Sequence, residues 1–427
     1  MRNAYSSLSP KRAWGRGIAA LVFVFLWTVF FSVAHAQDED SPPGANLDVA
    51  LITFGPGTEV WERFGHNAIM IRDRTTGQSR LYNFGIFDFD QENFFLNFAR
   101  GRMMYRAAVD DAAEELPIYR EEGRWIVEQD LNLEAAQRAK LAAFLEWNVR
   151  PENSEYRYDY FTANCSTRVR DALDMAVDGA IKQQTISPSR GFTYRMDALR
   201  LMRPETLLTI GMDAGLGPFA DRRLTYWDES FVPMELMRHM RQIHRVDAST
   251  GKLVPLVSRE TRLADARVAE PLEYPPDWFW RALLAGVVIG AALFGLTRMC
   301  SRGWARTVFA SFAIITAIIL SLGGLVLLAL WFLTDHVAAW RNENILLFDP
   351  LCLLLLPAWF RWFRADWRPS RFAANLGVAI VLLCGLALFI KVFQTQPQDN
   401  RFWIALLLPI HAGFAASLFL RRGLSTK

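Results

Sequence analysis

The chain has 427 residues, too many for one ordinary domain, and its formal net charge of +3 is the small difference between 47 basic and 44 acidic groups. No dense basic patch interleaved with aromatic residues is present, so no nucleic-acid partner is expected. The composition is 52% hydrophobic but uneven: residues 40–275 read as a soluble protein of mixed charge, and residues 278–420 are mostly apolar, which excludes a wholly soluble chain.

At the N-terminus, Arg2, Lys11, Arg12 and Arg16 precede an apolar stretch over residues 17–33 that ends in Ala34-His35-Ala36. A basic region, an apolar region and a small-x-small site predict a secretory signal peptide over residues 1–36. The alternative, an uncleaved anchor, exports the following residues equally. The exported domain is placed at 37–270 and the membrane domain at 271–427.

Short strands are predicted at 47–53, 67–72 and 81–87, the last two forming a hairpin around Thr76-Gly77. Residues 94–101 are ambiguous, and 105–108 and 125–130 read as further strands. Apolar residues at helical spacing predict a helix over 133–147 with Asn132 as its cap, and a second over 166–178 with Val169, Ala172, Leu173 and Ala176 on one face. A hairpin is expected over 243–257 around Ser249-Thr250-Gly251. Pro271, Pro275 and Pro276 form a stiff approach to the apolar region.

Five candidate spans follow, at 278–296, 308–333, 345–360, 372–393 and 402–420; the third is short and ends near Pro357. Arg298, Arg302 and Arg306 follow the first. Arg361, Arg364, Arg368 and Arg371 follow the third, and Arg421, Arg422 and Lys427 the fifth. The alternate loops hold only Arg341 and Arg401, with Lys391 near the end of the fourth span. The positive-inside rule therefore puts the C-terminus in the cytoplasm and residues 37–277 outside, in agreement with the signal peptide. The loop over 334–344, with His336, Asn342 and Asn344, falls on the outer side. It is either a solvated loop or the lining of a substrate entrance at the membrane surface.

Cys165 is the only cysteine of the exported part; Cys300, Cys352 and Cys384 all lie in or beside the apolar segments. Exported domains commonly use cysteines in disulfide pairs, so a lone thiol there is either buried and inert or does chemistry. Its flanks, Asn164, Ser166, Thr167 and Arg168, are polar, which weighs against an inert hydrophobe. Phe64-Gly65-His66-Asn67-Ala68 holds the only histidine between Gln37 and Met237. A thiol and an imidazole suggest a Cys–His nucleophile pair. Asn164 as helix cap would set Cys165 in a first helical turn, where free amides and the helix dipole favour a thiolate. A third group should orient His66. Asn83 in Tyr82-Asn83-Phe84-Gly85 is the first candidate, ahead of Glu62 and Asp159; a one-residue slip in register would turn it away. Arg168 and Arg170 are candidates for a lipid phosphate, or simply ion pairs with Asp171 or Asp174. No metal ligand set has motif spacing around His66 or Cys165, and neither metal nor cofactor is expected.

Gly65-His66-Asn67-Ala68, Tyr82 through Phe89, Gly101-Arg102-Met103-Met104-Tyr105-Arg106, and Tyr158 through Asp171 together resemble the Lnb family of bacterial lipoprotein N-acyltransferases. The order of histidine before an Asn-Cys helix start is also similar to the circularly permuted papain-like group of NlpC-type and lecithin:retinol acyltransferase-like domains. The resemblance implies an α+β permuted papain-like periplasmic domain followed by an all-α bundle of about five transmembrane helices in the bacterial inner membrane. It implies Cys165, His66 and Asn83 as catalytic residues and Asn164, Arg168, Asn342 and Asn344 as substrate-binding ones. It implies acyl transfer from a phospholipid, through a Cys165 thioester, to the free amine of a diacylated lipoprotein. Members of the wider group include hydrolases, so a membrane-anchored cysteine hydrolase of cell-wall peptides or lipid esters is the alternative. A non-enzymatic envelope sensor or scaffold, with Cys165 structural, is the third reading.

Overall fold

A computed structural model describes residues 42–423. The expected signal peptide lies outside the described residues. The N-terminal part is built on a seven-stranded antiparallel sheet. Its strands are β1 (Leu47–Phe54), β2 (His66–Asp73), β3 (Ser79–Ile86), β4 (Met104–Asp111), β5 (Ile126–Leu131), β6 (Glu155–Arg157) and β7 (Val257–Ala264). The spatial order is β7-β5-β1-β2-β3-β4-β6, which puts β2 at the centre. The alternation of the strands explains the layers. Val49, Leu51, Ile69, Ile71, Tyr82 and Phe84 face one side, where Leu141, Leu145, Val169 and Leu173 of two helices cover them. Ala50, Ile52, Phe54, Ala68, Met70 and Leu81 face the other, with Ala112 and Tyr119 over them.

The two helices on the first face are Ala135–Asn148 and Cys165–Ala176, close to the predicted ranges. The cap of the former is Glu134, in a reciprocal box with Gln137, and not Asn132. Asn132 is drawn into the strand-end pairing instead: its N–H donates to the Leu256 carbonyl at 2.7 Å. The ambiguous segment is the helix Phe94–Arg100. A helix over Ala112–Glu121 covers the second face; with Pro117 inside it, its sequence gives no clean helical signal.

Among the described residues, five helical segments are long and apolar enough to cross a membrane: Phe279–Arg298, Gly303–Leu333, Val337–Arg361, Arg371–Phe393 and Arg401–Gly423. The third is broken into short 3-10 turns and the one-and-a-half-turn helix Leu356–Arg361, because Pro350 and Pro357 each remove a backbone donor. Such irregular backbone survives at membrane depth only when protein surrounds it. Leu347, Trp359 and Trp362 are buried among the other helices. The freed carbonyls find donors: His411 Nε2 lies 3.1 Å from the Leu347 oxygen and Cys384 Sγ 3.4 Å from that of Leu346.

The loop at 334–344 is a clamp and not a solvated loop. Asp335 takes ion pairs from Arg102 at 2.8 Å and Arg157 at 3.0 Å. The Gly217 N–H donates to the Ala338 carbonyl at 2.7 Å. A Cβ at Gly217 would stand 2.3 Å from the Trp340 oxygen, so only glycine permits that approach.

Candidate active site

His66 is the first residue of β2, reached through Gly65, whose φ of +78° makes the sharp turn after Phe64. Cys165 is the first residue of its helix. Asn164 caps that helix as expected: its Oδ1 accepts from the Thr167 N–H at 2.9 Å, and Thr167 Oγ1 accepts from the Asn164 N–H at 2.8 Å. The Asn164 amide nitrogen donates to the carbonyls of Tyr160 and Phe231 at 3.0 and 2.9 Å. Its groups are thus engaged in fixing the helix start.

The residues that follow the histidine and the cysteine lock the two segments together. Ser166 Oγ donates to Asn67 Oδ1 at 2.8 Å, and Asn67 Nδ2 donates to Thr53 Oγ1 at 2.8 Å. All three are buried. The backbone N–H groups of Asn67, Ser166 and Cys165 itself face the sulfur. His66 is therefore one peptide unit from an amide that touches Cys165. Arg124, 4% exposed, acts electrostatically on both groups, and Tyr119 stacks parallel to the His66 ring while its hydroxyl feels the sulfur. Gly85, at φ +87° in the bulge of β3, leaves the wall beside the thiol open; a Cβ there would be 3.6 Å from that of Cys165.

The register pairs Ala68 with Asn83, which puts Asn83 on the same face as His66. Asn83 Oδ1 lies 3.0 Å from His66 Nε2. Asn83 Nδ2 donates to Glu115 at 2.9 Å and to Asp110 at 3.2 Å. Carboxylates only accept, so Glu115 and Asp110 fix which end of the amide is oxygen. That oxygen then requires a proton on Nε2, and Nδ1 is left as the basic nitrogen of His66. Glu62 and Asp159 are engaged elsewhere. Glu62 takes part in the cap of its own turn, and Asp159 accepts from the N–H groups of Phe161 and Thr162.

The electrostatics differ from the thiolate expected at a helix start. Burial pushes the Cys165 thiol up; the facing N–H groups and Arg124 pull it back only in part. Burial likewise holds the His66 imidazole down at about 4, against the Asn83 bond that raises it. Both directions favour the neutral forms, a thiol at Cys165 and a free imidazole at His66. Glu115 is pushed up to about 7, by burial first and by Asp110 as well.

The remaining candidates sit as follows. The Arg168 guanidinium lies 4.3 Å from the centre of the Tyr156 ring, and Tyr156 feels the sulfur, so Arg168 borders the site. Arg170 pairs with Asp171 at 2.7 Å. Asn342 and Asn344 are buried, and their amide nitrogens both donate to the Ala214 carbonyl, at 2.8 and 2.9 Å. The structure does not bring them to Cys165; they hold the C-terminal end of the helix Thr206–Gly215. Glu115, Arg124, Tyr119 and the Asn67–Ser166 bond were not foreseen. The only signal was adjacency, since Asn67 and Ser166 each follow one member of the pair.

Among family models, the Lnb N-terminal periplasmic domain matches residues 37–203 and the Lnb transmembrane domain matches residues 279–422. No curated protein and no solved structure matches the chain.

Proposed function

The chain belongs to the Lnb family, a multi-pass membrane protein with a periplasmic N-terminal domain, and on that premise we propose that it is a lipoprotein N-acyltransferase. Its acyl donor would be a phospholipid and its acceptor the free amine of a diacylglyceryl-cysteine at a lipoprotein N-terminus. The observation that carries the reading is the oriented Glu115–Asn83–His66 chain beside Cys165, in a domain clamped to a membrane bundle. Residues 37–270 form the periplasmic catalytic part and 271–427 the membrane part. The arginine-rich alternate loops support a cytoplasmic C-terminus. The order of His66 before Cys165, with the helix start against the sheet, supports a permuted papain-like arrangement.

The mechanism starts from the neutral pair. His66 Nδ1 takes the thiol proton as sulfur attacks an ester carbonyl of the phospholipid. The S–C bond forms, and the N–H groups around the sulfur stabilise the oxyanion. The ester C–O bond then breaks, and the imidazolium gives its proton to the leaving alkoxide, releasing a lysophospholipid. In the second half the lipoprotein amine attacks the thioester. The C–N bond forms, the C–S bond breaks, and the amine proton returns through His66 to sulfur. A neutral resting site costs little to keep buried, and exclusion of water protects the thioester from hydrolysis. Arg168, which lies over Tyr156 at the border of the site, would be the group that meets the phosphate.

The test is mass spectrometry of lipoprotein N-termini from cells with the wild-type protein and with Cys165→Ser. N-acylated termini that vanish in the variant are expected. Unchanged acylation would exclude the nucleophile, and release of free fatty acid without amide formation would favour a hydrolase.

A further inference from the structure

Between the periplasmic domain and the membrane bundle lies a cavity of about 450 Å³. Its walls include Phe64, Phe161, Met202, Leu208, Met212 and Leu330. Only two polar side chains line it, Tyr160 and His336, and they satisfy each other and the backbone. His336 Nε2–H donates to the Phe98 carbonyl at 3.0 Å, so Nδ1 accepts from the Tyr160 hydroxyl. No side chain of the lining has a donor left to offer, and the Tyr160 hydroxyl oxygen is the one strong acceptor that remains. A ligand that needs hydrogen bonds would be penalised there, whereas a hydrocarbon chain would not. Its volume falls in the range of about 300–1,000 Å³ typical of ligand pockets, room enough for a fatty-acyl chain.

We propose that this cavity is the binding site for the acyl chain carried by Cys165, an inference that rests on the acyltransfer reading above. Three placements support it. Phe64 stands two residues before His66, and Tyr160 and Phe161 stand just before Cys165, so the wall shares its segments with the reacting pair. Leu330 belongs to the membrane helix Gly303–Leu333, three residues from its outer end, so the cavity adjoins the level of lipid chains. The helix Thr206–Gly215 forms the rim: Leu207 is 85% exposed, while Ile210 and Ala214 pack against the membrane core. Asn342 and Asn344 hold that helix in place.

Gly211 and Gly215 line the cavity one helical turn apart, and a Cβ at either would meet nothing within 4 Å. Gly211, inside the helix, costs about 1 kcal/mol against alanine, although alanine would fit. The lack of a side chain at both positions keeps the space open, and a large side chain at either would fill it without a clash at its root.

The experiment uses full-length protein in proteoliposomes that contain a diacylated lipopeptide and phosphatidylethanolamine of long or short acyl chains. Gly211→Phe and Gly215→Phe should shift the ratio of long- to short-chain transfer by tens of fold toward short chains, the scale of hydrophobic discrimination over several methylenes. Gly385→Phe, which also meets open space but on a membrane helix, should keep the wild-type ratio. A wild-type ratio in both cavity variants would overturn the proposal, as would a change confined to the KM for the lipopeptide, which would seat the acceptor's chains there. If a variant fails to fold, Gly211→Leu replaces it with a smaller fill. A second readout is independent of catalysis: a photoactivatable acyl phospholipid in the same vesicles should label residues 206–215 and 160–161 of the Cys165→Ala protein, less so with Gly211→Phe added. Labelling without transfer by the wild type would uphold the chain site and sink the acyltransferase reading. Absence of labelling would overturn the site.

Discussion

Among the described residues, a cysteine and a histidine come to one neighbourhood both in the membrane bundle and in the periplasmic domain, and the two sets keep different partners. In the membrane bundle, Cys384 and His411 point at the carbonyls of Leu346 and Leu347, freed where the third span is broken. Their polar atoms are spent on structure. In the periplasmic domain, a chain of hydrogen bonds from Glu115 through Asn83 settles the tautomer of His66 and leaves its Nδ1 uncommitted, while three N–H groups face the Cys165 sulfur. The residue types are shared; the difference lies in what each group has left to give, and in burial, which is complete for Cys384 and His411 and only partial for Cys165 and His66. On the acyltransfer reading proposed above, that is what separates a reactive site from a structural one: the surroundings fix a group's geometry without consuming its reactive atom.

The sharpest way to break this comparison is at the sulfur. Cys165→Ala should lower lipopeptide acylation by at least about a thousandfold, the scale of removing a nucleophile. The protein should keep its thermal midpoint, because Asn67, Ser166 and Asn164 are untouched; acylation near wild type would remove Cys165 from the chemistry. His66→Ala should cost on the order of a hundred- to ten-thousandfold in rate by loss of the base. Because His66 is held neutral to about 4 while a free imidazole titrates near 6.5, the folded state binds fewer protons in that window. Stability from this group is full above about 6.5 and is lost as pH falls through about 4. Unfolding scans of the wild type should show this loss, and scans of His66→Ala should show less of it.

Glu115→Gln is expected to slow transfer by about ten- to a hundredfold without altering folding, the usual scale for groups that orient a reacting residue. A glutamine can donate as well as accept, so it lets Asn83 turn its NH₂ toward His66 and pull the proton to Nδ1. Nitrogen-15 NMR of His66 should show that change of tautomer. Ionised Glu115 only accepts, whereas its protonated form can compete for the Asn83 oxygen. Wild-type activity should therefore fall as pH drops through about 7, and Glu115→Gln should lack that limb. An unchanged tautomer and profile would show that Asn83 alone sets the imidazole. The smallest effects belong to the bundle. Cys384→Ala should leave the transfer rate unchanged, and His411→Leu should cost about 1–3 kcal/mol of stability through the unpaired Leu347 carbonyl. A catalytic defect in either, with stability intact, would erase the contrast between the two places.

The sequence by itself determined the elements whose signals are local. Short apolar runs bounded by turn residues placed β1, β2 and β3 within a residue or two, and helical spacing placed the helix that begins at Cys165. Asn164 as its cap, Asn83 as the first candidate partner of His66 and the five spans were legible for the same reason: a cap and a long apolar run each carry their meaning within a few residues. Only the tertiary structure decided the rest. Glu115 and Tyr119 stand on a helix that Pro117 hides from any periodic reading, and they meet Asn83 and His66 across the sheet. Asn342 and Asn344 were candidates for substrate, and their place became clear when the Ala214 carbonyl, 128 and 130 residues away in sequence, was found between them. The thiol was expected to ionise from the helix start alone. Its actual direction is set by how many atoms shut out water around the sulfur, a sum over distant segments that no local pattern contains.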